Sequence, residues 1–396
     1  MTLVVENPRS AGIPVTDKLA KYESSIFAEM GALSVKHQAV NLAQGFPDYQ
    51  KNNQILMDAA RYTEQGFNQY APMNGVLALR EAISDYKFNT TGRRYDPASE
   101  IVVTTGALQA VHAALTSVIN PGDEVIIFDP SFDCYRPIVE LCGGIPVTVT
   151  LEAPSFEFQW DKIQQLITKK TKAIILNSPN NPTGKILNYS DIAALEKITA
   201  DSGIILISDE VYEHAIFDGN KHLSISQFEA LASRSFVISS LGKIFHVTGW
   251  RMGYCVAPKQ LIQSFLKIHQ FTVFSGTSAA LQMAIANQLN NQEYYQEIHT
   301  TYAAQRDLFL ELVSKTAFKP LPIPGSFFCL LDYSSISNKT ENEIARTLAI
   351  EHGVSLIPLS AFYEDKREQQ LLRACFVKKE ETIRKAIAGL QKAFRD

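Results

Sequence analysis

Lys243 follows an apolar run, Phe236-Val237-Ile238, across the turn Ser239-Ser240-Leu241-Gly242, and Arg251 stands eight residues beyond it. An amine buried at a strand end loses its ammonium form more readily than one in water, and the free amine attacks aldehydes. The Ser240 hydroxyl and the Arg251 guanidinium are groups that hold phosphate. An aldehyde that also carries a phosphate satisfies both halves of the turn, which points to pyridoxal 5′-phosphate. A solvated loop lysine is the plainer alternative, and a lone Gly-Lys pair does not decide between the two.

Five further segments carry possible chemistry, four of them just after an apolar run. Thr104-Thr105-Gly106-Ala107-Leu108 offers free backbone N–H groups at a helix start, a phosphate cradle or simply a tight turn. In Asp129-Pro130-Ser131-Phe132 the phenylalanine stacks on a flat ring or packs in the core. Asn181, within Asn177-Ser178-Pro179-Asn180-Asn181-Pro182-Thr183-Gly184, donates its amide to a ligand or closes a surface turn. In Ser208-Asp209-Glu210-Val211-Tyr212, an aspartate at the end of an apolar strand is costly without a partner, and a protonated pyridine nitrogen would supply one. Helix capping is its alternative role. Arg373, inside the apolar Leu371-Leu372-Arg373-Ala374-Cys375-Phe376, binds either a substrate carboxylate or an internal acid.

These segments need a scaffold that brings strand ends together. Between about residues 100 and 260, β-branched apolar runs at 101–104, 124–128, 172–176, 203–207, 236–238 and 254–257 alternate with helical patterns. That alternation predicts an α/β fold with a mostly parallel sheet covered on both faces, and ligands in such sheets sit beyond the carboxyl ends of the strands. From about residue 290 the texture changes to a long helix (294–315), a Pro-rich stretch, a strand at 326–331 and an amphipathic closing helix through Ile383, Ile387, Leu390 and Phe394. The expected division is an amino-terminal arm with part of a small domain (1–50), a large domain (51–290) and a smaller α+β domain (291–396).

With 396 residues, 46% hydrophobic and 20% charged, the chain has an ordinary globular balance. A net charge of −4 gives no expectation of nucleic acid or an anionic membrane as partner. Five scattered cysteines without a Cys-x-x-Cys pair fit a reducing compartment. The amino-terminal apolar run is too short for a secretory signal, so the expected location is cytoplasmic. The pairs Lys169-Lys170 and Lys378-Lys379 read as solvated positions. The histidines show no metal-ligand spacing, and no Gly-x-Gly-x-x-Gly supports a nicotinamide enzyme.

Taken together, Asn-Pro-x-Gly at 181–184, Ser-Asp-Glu-Val-Tyr at 208–212, Ser-x-Gly-Lys at 240–243 with Arg251, and Arg373 resemble the class I/II aminotransferases. The match runs from Asn41-Leu42-Ala43-Gln44-Gly45-Phe46-Pro47-Asp48 to Lys378. Gln-Gly-Phe-Pro-Asp and Thr248-Gly249-Trp250-Arg251-Met252-Gly253-Tyr254 resemble the methionine and kynurenine/glutamine branch, which often has lysine where Arg251 stands. The resemblance implies the type I fold of pyridoxal-phosphate enzymes, with a seven-stranded sheet. It implies that Lys243 forms the Schiff base with the cofactor, that Ala107 and Leu108 amides beside Gly106, with Ser240 and Arg251, hold its phosphate, and that Phe132 stacks on its ring. Asp209 would pair with the ring nitrogen, Tyr212 with the ring oxygen, and Asn181 would complete the ring contacts. Arg373 and the Gly45 backbone would clamp the substrate carboxylate. Tyr70 would reach the phosphate in a partner subunit, which makes the expected assembly a homodimer.

The expected reaction is transfer of an amino group from an apolar, sulfur-containing or aromatic amino acid to a 2-oxo acid. The lean to such substrates rests on Phe46, Tyr70, Phe132, Tyr135, Phe271 and Phe274, and on the lack of a second assignable substrate arginine. A carbon–sulfur β-lyase on the same scaffold is the nearest rival. A cofactor-binding transcription regulator would need a DNA-binding domain, and only about 40 residues precede the match.

Overall fold

The computed structural model describes residues 16–393, apart from positions 23 and 51. The segment before residue 16 and Phe394 of the closing pattern lie outside the described residues. Strand β1 (Val40–Asn41) is short, and its parallel partner comes from the far end of the chain.

The large sheet is built from β2 (Ile101–Thr104), β3 (Glu124–Asp129), β4 (Ile145–Thr150), β5 (Thr171–Asn177), β6 (Ile205–Asp209), β7 (Ser235–Ser239) and β8 (Gly253–Val256). Their spatial order is β2-β8-β7-β6-β5-β3-β4, and only β8 runs antiparallel to its neighbours. Successive side chains of a strand point to opposite faces, and the core divides accordingly. Val102, Val125, Ile127, Ile175, Ile207 and Phe236 pack on one face, with Val111, Ile262 and Phe265 of the helices Ala107–Val118 and Lys259–Val273. Val103, Ile126, Ile174, Leu206 and Val237 pack on the other. Burial on both faces is why these strands are apolar almost throughout.

Strand β4 was not among the expected strands. It pairs with β3 alone, so it is a sheet edge, and its Ile-Pro-Val-Thr-Val-Thr sequence alternates apolar and polar residues over a half-exposed surface. Proline is tolerated at such an edge.

The carboxyl-terminal third carries β9 (Lys319–Pro320), β10 (Phe328–Asp332), β11 (Val354–Ser355), β12 (Ile357–Pro358) and β13 (Leu371–Cys375). Strands β12, β13, β10 and β9 form an antiparallel sheet in that order, while β11 completes the pair with β1. The long helix is Gln292–Val313, and the closing amphipathic helix is Glu380–Lys392. No helix among the described residues is long and apolar enough to cross a membrane.

Antiparallel β8 begins where the parallel strands end. Thr104, Asp129, Asn177, Asp209 and Ser239 therefore share one sheet edge with Gly253. Arg373, by contrast, lies within β13, and Tyr70 lies outside any strand.

Candidate active site

At that edge the turns after β2, β3, β5, β6 and β7 meet β13 and the Gln44-Gly45-Phe46 loop around a cavity of about 360 Å³. Of the expected site residues, Gly45, Gly106, Phe132, Asn181, Tyr212, Ser240, Lys243, Arg251 and Arg373 form its wall.

Ser240 caps the short helix Leu241–Ile244, its Oγ accepting from the Lys243 N–H at 3.4 Å. This turn sends the lysine inward, where Nζ donates to the Tyr212 hydroxyl at 2.8 Å and sits 4.0 Å from the ring centre. Burial pulls the ammonium down from 10.5 to about 8; Asp209 opposes the fall, and Arg373 and Arg251 add to it. Above about pH 8 the amine is thus free, where an ordinary lysine is still charged. Uptake of pyridoxal phosphate by the cofactor-free protein, followed by stopped-flow absorbance, should therefore accelerate with pH to a midpoint near 8. A midpoint near 10.5 would show that the lysine is not desolvated.

Asp209 ends β6 and is not on the cavity wall itself. Its Oδ2 accepts from the Tyr135 hydroxyl at 2.6 Å and its Oδ1 from the Val211 N–H at 3.2 Å. The residues after it form turns, so Asp209 caps no regular helix. Burial holds its carboxyl above the usual range, against the pull of Tyr135 and Lys243. A carboxylate so held gains most from a cation set against it.

Opposite the lysine is an anion cradle. Gly106 has φ of 79°, a conformation that favours glycine, and a Cβ there would stand 2.6 Å from Arg251 Nη2. The helix beginning at Ala107 makes its first return bond from Ala110 N–H to Gly106 O at 3.4 Å, which leaves the Ala107 and Leu108 amides without an intrahelical acceptor. A Cβ on Gly253 would meet Ala107 N at 2.8 Å, so β8 also has to leave this approach clear. The Leu108 side chain packs with the core below the sheet and contributes only its backbone here.

At the other end stands Arg373, fully buried. Its Nη1 donates to Asn181 Oδ1 at 2.6 Å and its Nη2 to the Ala43 carbonyl. The guanidinium lies over the Phe328 ring at 3.9 Å and near Phe27 and Phe362 at 5.0 Å. No carboxylate pairs with it among the described residues, which removes the internal ion pair as its role. Nε has no partner among the described residues, and burial lowers the group to about 10. A buried charge with an orphan donor on a cavity wall is built to receive an anion. Asn181, whose oxygen is taken by Arg373, retains its N–H₂ for a ligand.

Tyr70 is 81% exposed and meets Phe274 edge-on at 5.3 Å, away from this chain's own cavity.

The family description Aminotransferase class I and II matches residues 37–390. The chain belongs to the class I and II aminotransferases. A methionine aminotransferase of Escherichia coli is 41% identical over 375 residues, covering 94% of this chain and 97% of that one. A kynurenine–oxoglutarate transaminase of Dictyostelium discoideum is 33% identical, with 94% and 95% covered. A solved Escherichia coli structure described as having a methionine aminotransferase function superposes with a TM-score of 0.92 at 40% identity, covering 96% of this chain and all of that one. This aminotransferase has the mostly parallel seven-stranded sheet expected from its sequence.

Several residues around the aminotransferase site escaped the sequence reading. Tyr135 was noticed only as an aromatic, yet it is the hydrogen-bond partner of Asp209. Phe27, at the start of the helix Ile26–Lys36, closes the cavity over Arg373. Lys87, fully buried, lies 3.7 Å from both Glu210 and Glu213. Burial opposes ionisation of Glu210, but Lys87 and His222 prevail and its carboxyl falls to about 2. Glu213 in turn accepts from Ser239 Oγ. This network fastens the turn bearing Asp209 and Tyr212 to the turn bearing Ser240 and Lys243.

Lys378 corrects an expectation. It is 1% exposed, not solvated: its Nζ donates to the Phe46 carbonyl at 2.7 Å and lies 4.0 Å from the Phe46 ring centre. A basic pair looked like surface because the carbonyl that holds the ammonium comes from the opposite end of the chain.

Proposed function

We propose that this aminotransferase takes the amino group of an apolar, sulfur-containing or aromatic amino acid, methionine foremost, and passes it to a 2-oxo acid with pyridoxal 5′-phosphate as cofactor. The observation that carries the substrate class is the distribution of charge on the wall. Arg251 faces the anion cradle, and Arg373 is the other guanidinium. Phe27, Phe46, Phe132, Tyr212 and Phe328 give the wall its apolar area, and apart from Lys243 the wall carries no further charged side chain among the described residues, so a substrate carboxylate has a partner but a charged side chain does not. The methionine and kynurenine relatives agree with that chemistry.

The residues fit the cofactor: a lowered amine, an anion cradle that side chains at 106 and 253 would fill, and a buried carboxylate raised by desolvation. Gly106, Ala107, Leu108, Ser240 and Arg251 would hold its phosphate, Phe132 its ring face, Asp209 its ring nitrogen, and Tyr212 with Asn181 its ring oxygen. When bound, it supplies an electron sink for the bond broken at the substrate Cα. Lys243 would be the base that removes the α-proton and returns it two bonds from Cα, on the far side of the amino nitrogen. Tyr212, whose burial keeps its hydroxyl protonated, steadies the lysine between these positions. Arg373 and the Gly45 N–H orient the carboxylate, so that the Cα–H faces Lys243. Phe27 and Phe328 exclude water from that end.

The exposed Tyr70 and Phe274, with Phe271, favour a homodimer in which Tyr70 completes the partner's phosphate site; a single-chain mass in sedimentation under assay conditions would exclude it. The separate sheets support the division at residues 50 and 290, and five free cysteines support a reducing, cytoplasmic setting.

The direct test adds L-methionine to the cofactor-loaded protein without a 2-oxo acid. The absorbance band should shift to that of pyridoxamine phosphate, with one equivalent of 4-methylthio-2-oxobutanoate released. Release of pyruvate and ammonia from cysteine conjugates, with no such shift for any amino acid, would make the protein a β-lyase.

A further inference from the structure

The Gly45 loop is fastened on both sides of the residue that faces the cavity. On one side, Leu42 O accepts from Cys375 N–H at 2.8 Å and Ala43 O from Arg373. On the other, Phe46 O accepts from Lys378 Nζ, and Asp48 accepts from Lys379 N–H at 2.7 Å and Thr382 Oγ1 at 2.5 Å. Between these anchors, Gln44 and Gly45 line the cavity, and no acceptor takes the Gly45 N–H among the described residues. Gly45 itself has no slack: a Cβ there would lie 2.5 Å from Phe328 Cζ.

Lys378 is the unusual member of this set. A buried ammonium is costly, and no carboxylate pairs with it among the described residues. Its ammonium meets a backbone carbonyl and an aromatic face of the same loop residue, an arrangement that fixes Phe46 in both position and tilt. Its own carbonyl accepts from Gln305 Nε2 at 2.6 Å, which ties the junction to the helix Gln292–Val313. Lys378 stands five positions after Arg373, so one short stretch of chain carries the guanidinium and the clasp on the loop that faces it.

We infer that Lys378 is a positioning residue for the carboxylate clamp: it holds the Phe46 carbonyl so that the Gly45 N–H and Arg373 converge on the substrate carboxylate. The inference rests on the aminotransferase reading above, in which that carboxylate occupies this end of the cavity. It predicts an effect confined to ligands that carry a carboxylate.

The test compares L-methionine with L-methioninol, which keeps the amine and side chain but lacks the carboxylate. Dissociation constants are read from the cofactor band of the loaded protein, and cofactor retention is measured alongside. In Lys378→Met, methionine should bind about 10-fold more weakly, the loss of one charged hydrogen bond's worth of alignment, with methioninol changed by less than about 2-fold. Its KM for methionine should rise more than its kcat falls. Thr382→Val, which removes one of the two bonds that hold Asp48 and leaves the one from Lys379 N–H, should give the same selectivity at about 3-fold, and it decides the matter if the lysine variant does not fold. Equal weakening of both ligands would mark Lys378 as a general structural support and overturn the inference, as would no change in either. If the unaltered protein does not respond to methionine at all, the functional reading fails instead.

Discussion

Lys243→Ala lowers kcat for methionine by at least about 10³-fold, because it removes the covalent anchor and the proton-transferring base together. The two roles belong to one amine. Burial frees its lone pair above about pH 8, well below an ordinary lysine, and the Tyr212 hydroxyl at 2.8 Å aims it. Among the described residues no second lysine lines the cavity, so nothing on that wall substitutes for it. The fold should tolerate the change, since Lys243 sits in a four-residue helix and makes no ion pair among the described residues. Far-ultraviolet circular dichroism and the melting temperature check that point while steady-state rates check the first. A variant that keeps a tenth of the rate would show that the lysine is an accessory.

Asp209→Asn lowers kcat on the order of 10²-fold, the usual cost of removing one preorganised charge from a reacting centre. The carboxylate would hold a proton at the ring nitrogen of the cofactor, and a neutral amide cannot. Asparagine keeps the shape: its one oxygen can accept from the Val211 N–H, and its N–H₂ can donate to the Tyr135 hydroxyl oxygen. Burial already holds this carboxyl above its usual range, so its charge is a burden on the cofactor-free fold. The variant stripped of cofactor should therefore melt no lower than the unaltered protein, while activity collapses. A parallel fall in both would assign Asp209 a structural role.

The large sheet was legible because burial on both faces leaves a plain mark. Runs such as Val125-Ile126-Ile127-Phe128 have few other uses, and turn residues bound them. Strand β4 was illegible for the complementary reason: an edge strand has one wet face, and its threonines and proline read as loop. Lys243, Asp209 and Asn181 were legible since each follows a strand end, where side chains face a ligand crevice. Their supports were not. The Tyr135–Asp209 bond spans 74 residues and the Lys378–Phe46 bond spans 332, and no local pattern encodes either. Glu210 and Glu213 stood in plain view within Ser208–Glu213, but their burial depends on Lys87, a helix lysine that looks solvated until the helix packs. Arg373 was left open between an internal acid and a ligand, and the structure offers it an amide, a carbonyl and three aromatic rings instead of an acid.

The most direct measurement is reduction of the cofactor-loaded protein with borohydride, followed by proteolysis and peptide mass mapping. The account predicts a single phosphopyridoxyl-modified peptide, with the label on Lys243 and none on Lys378 or Lys87. A label on any other lysine, or a loaded protein that takes no label, would contradict it.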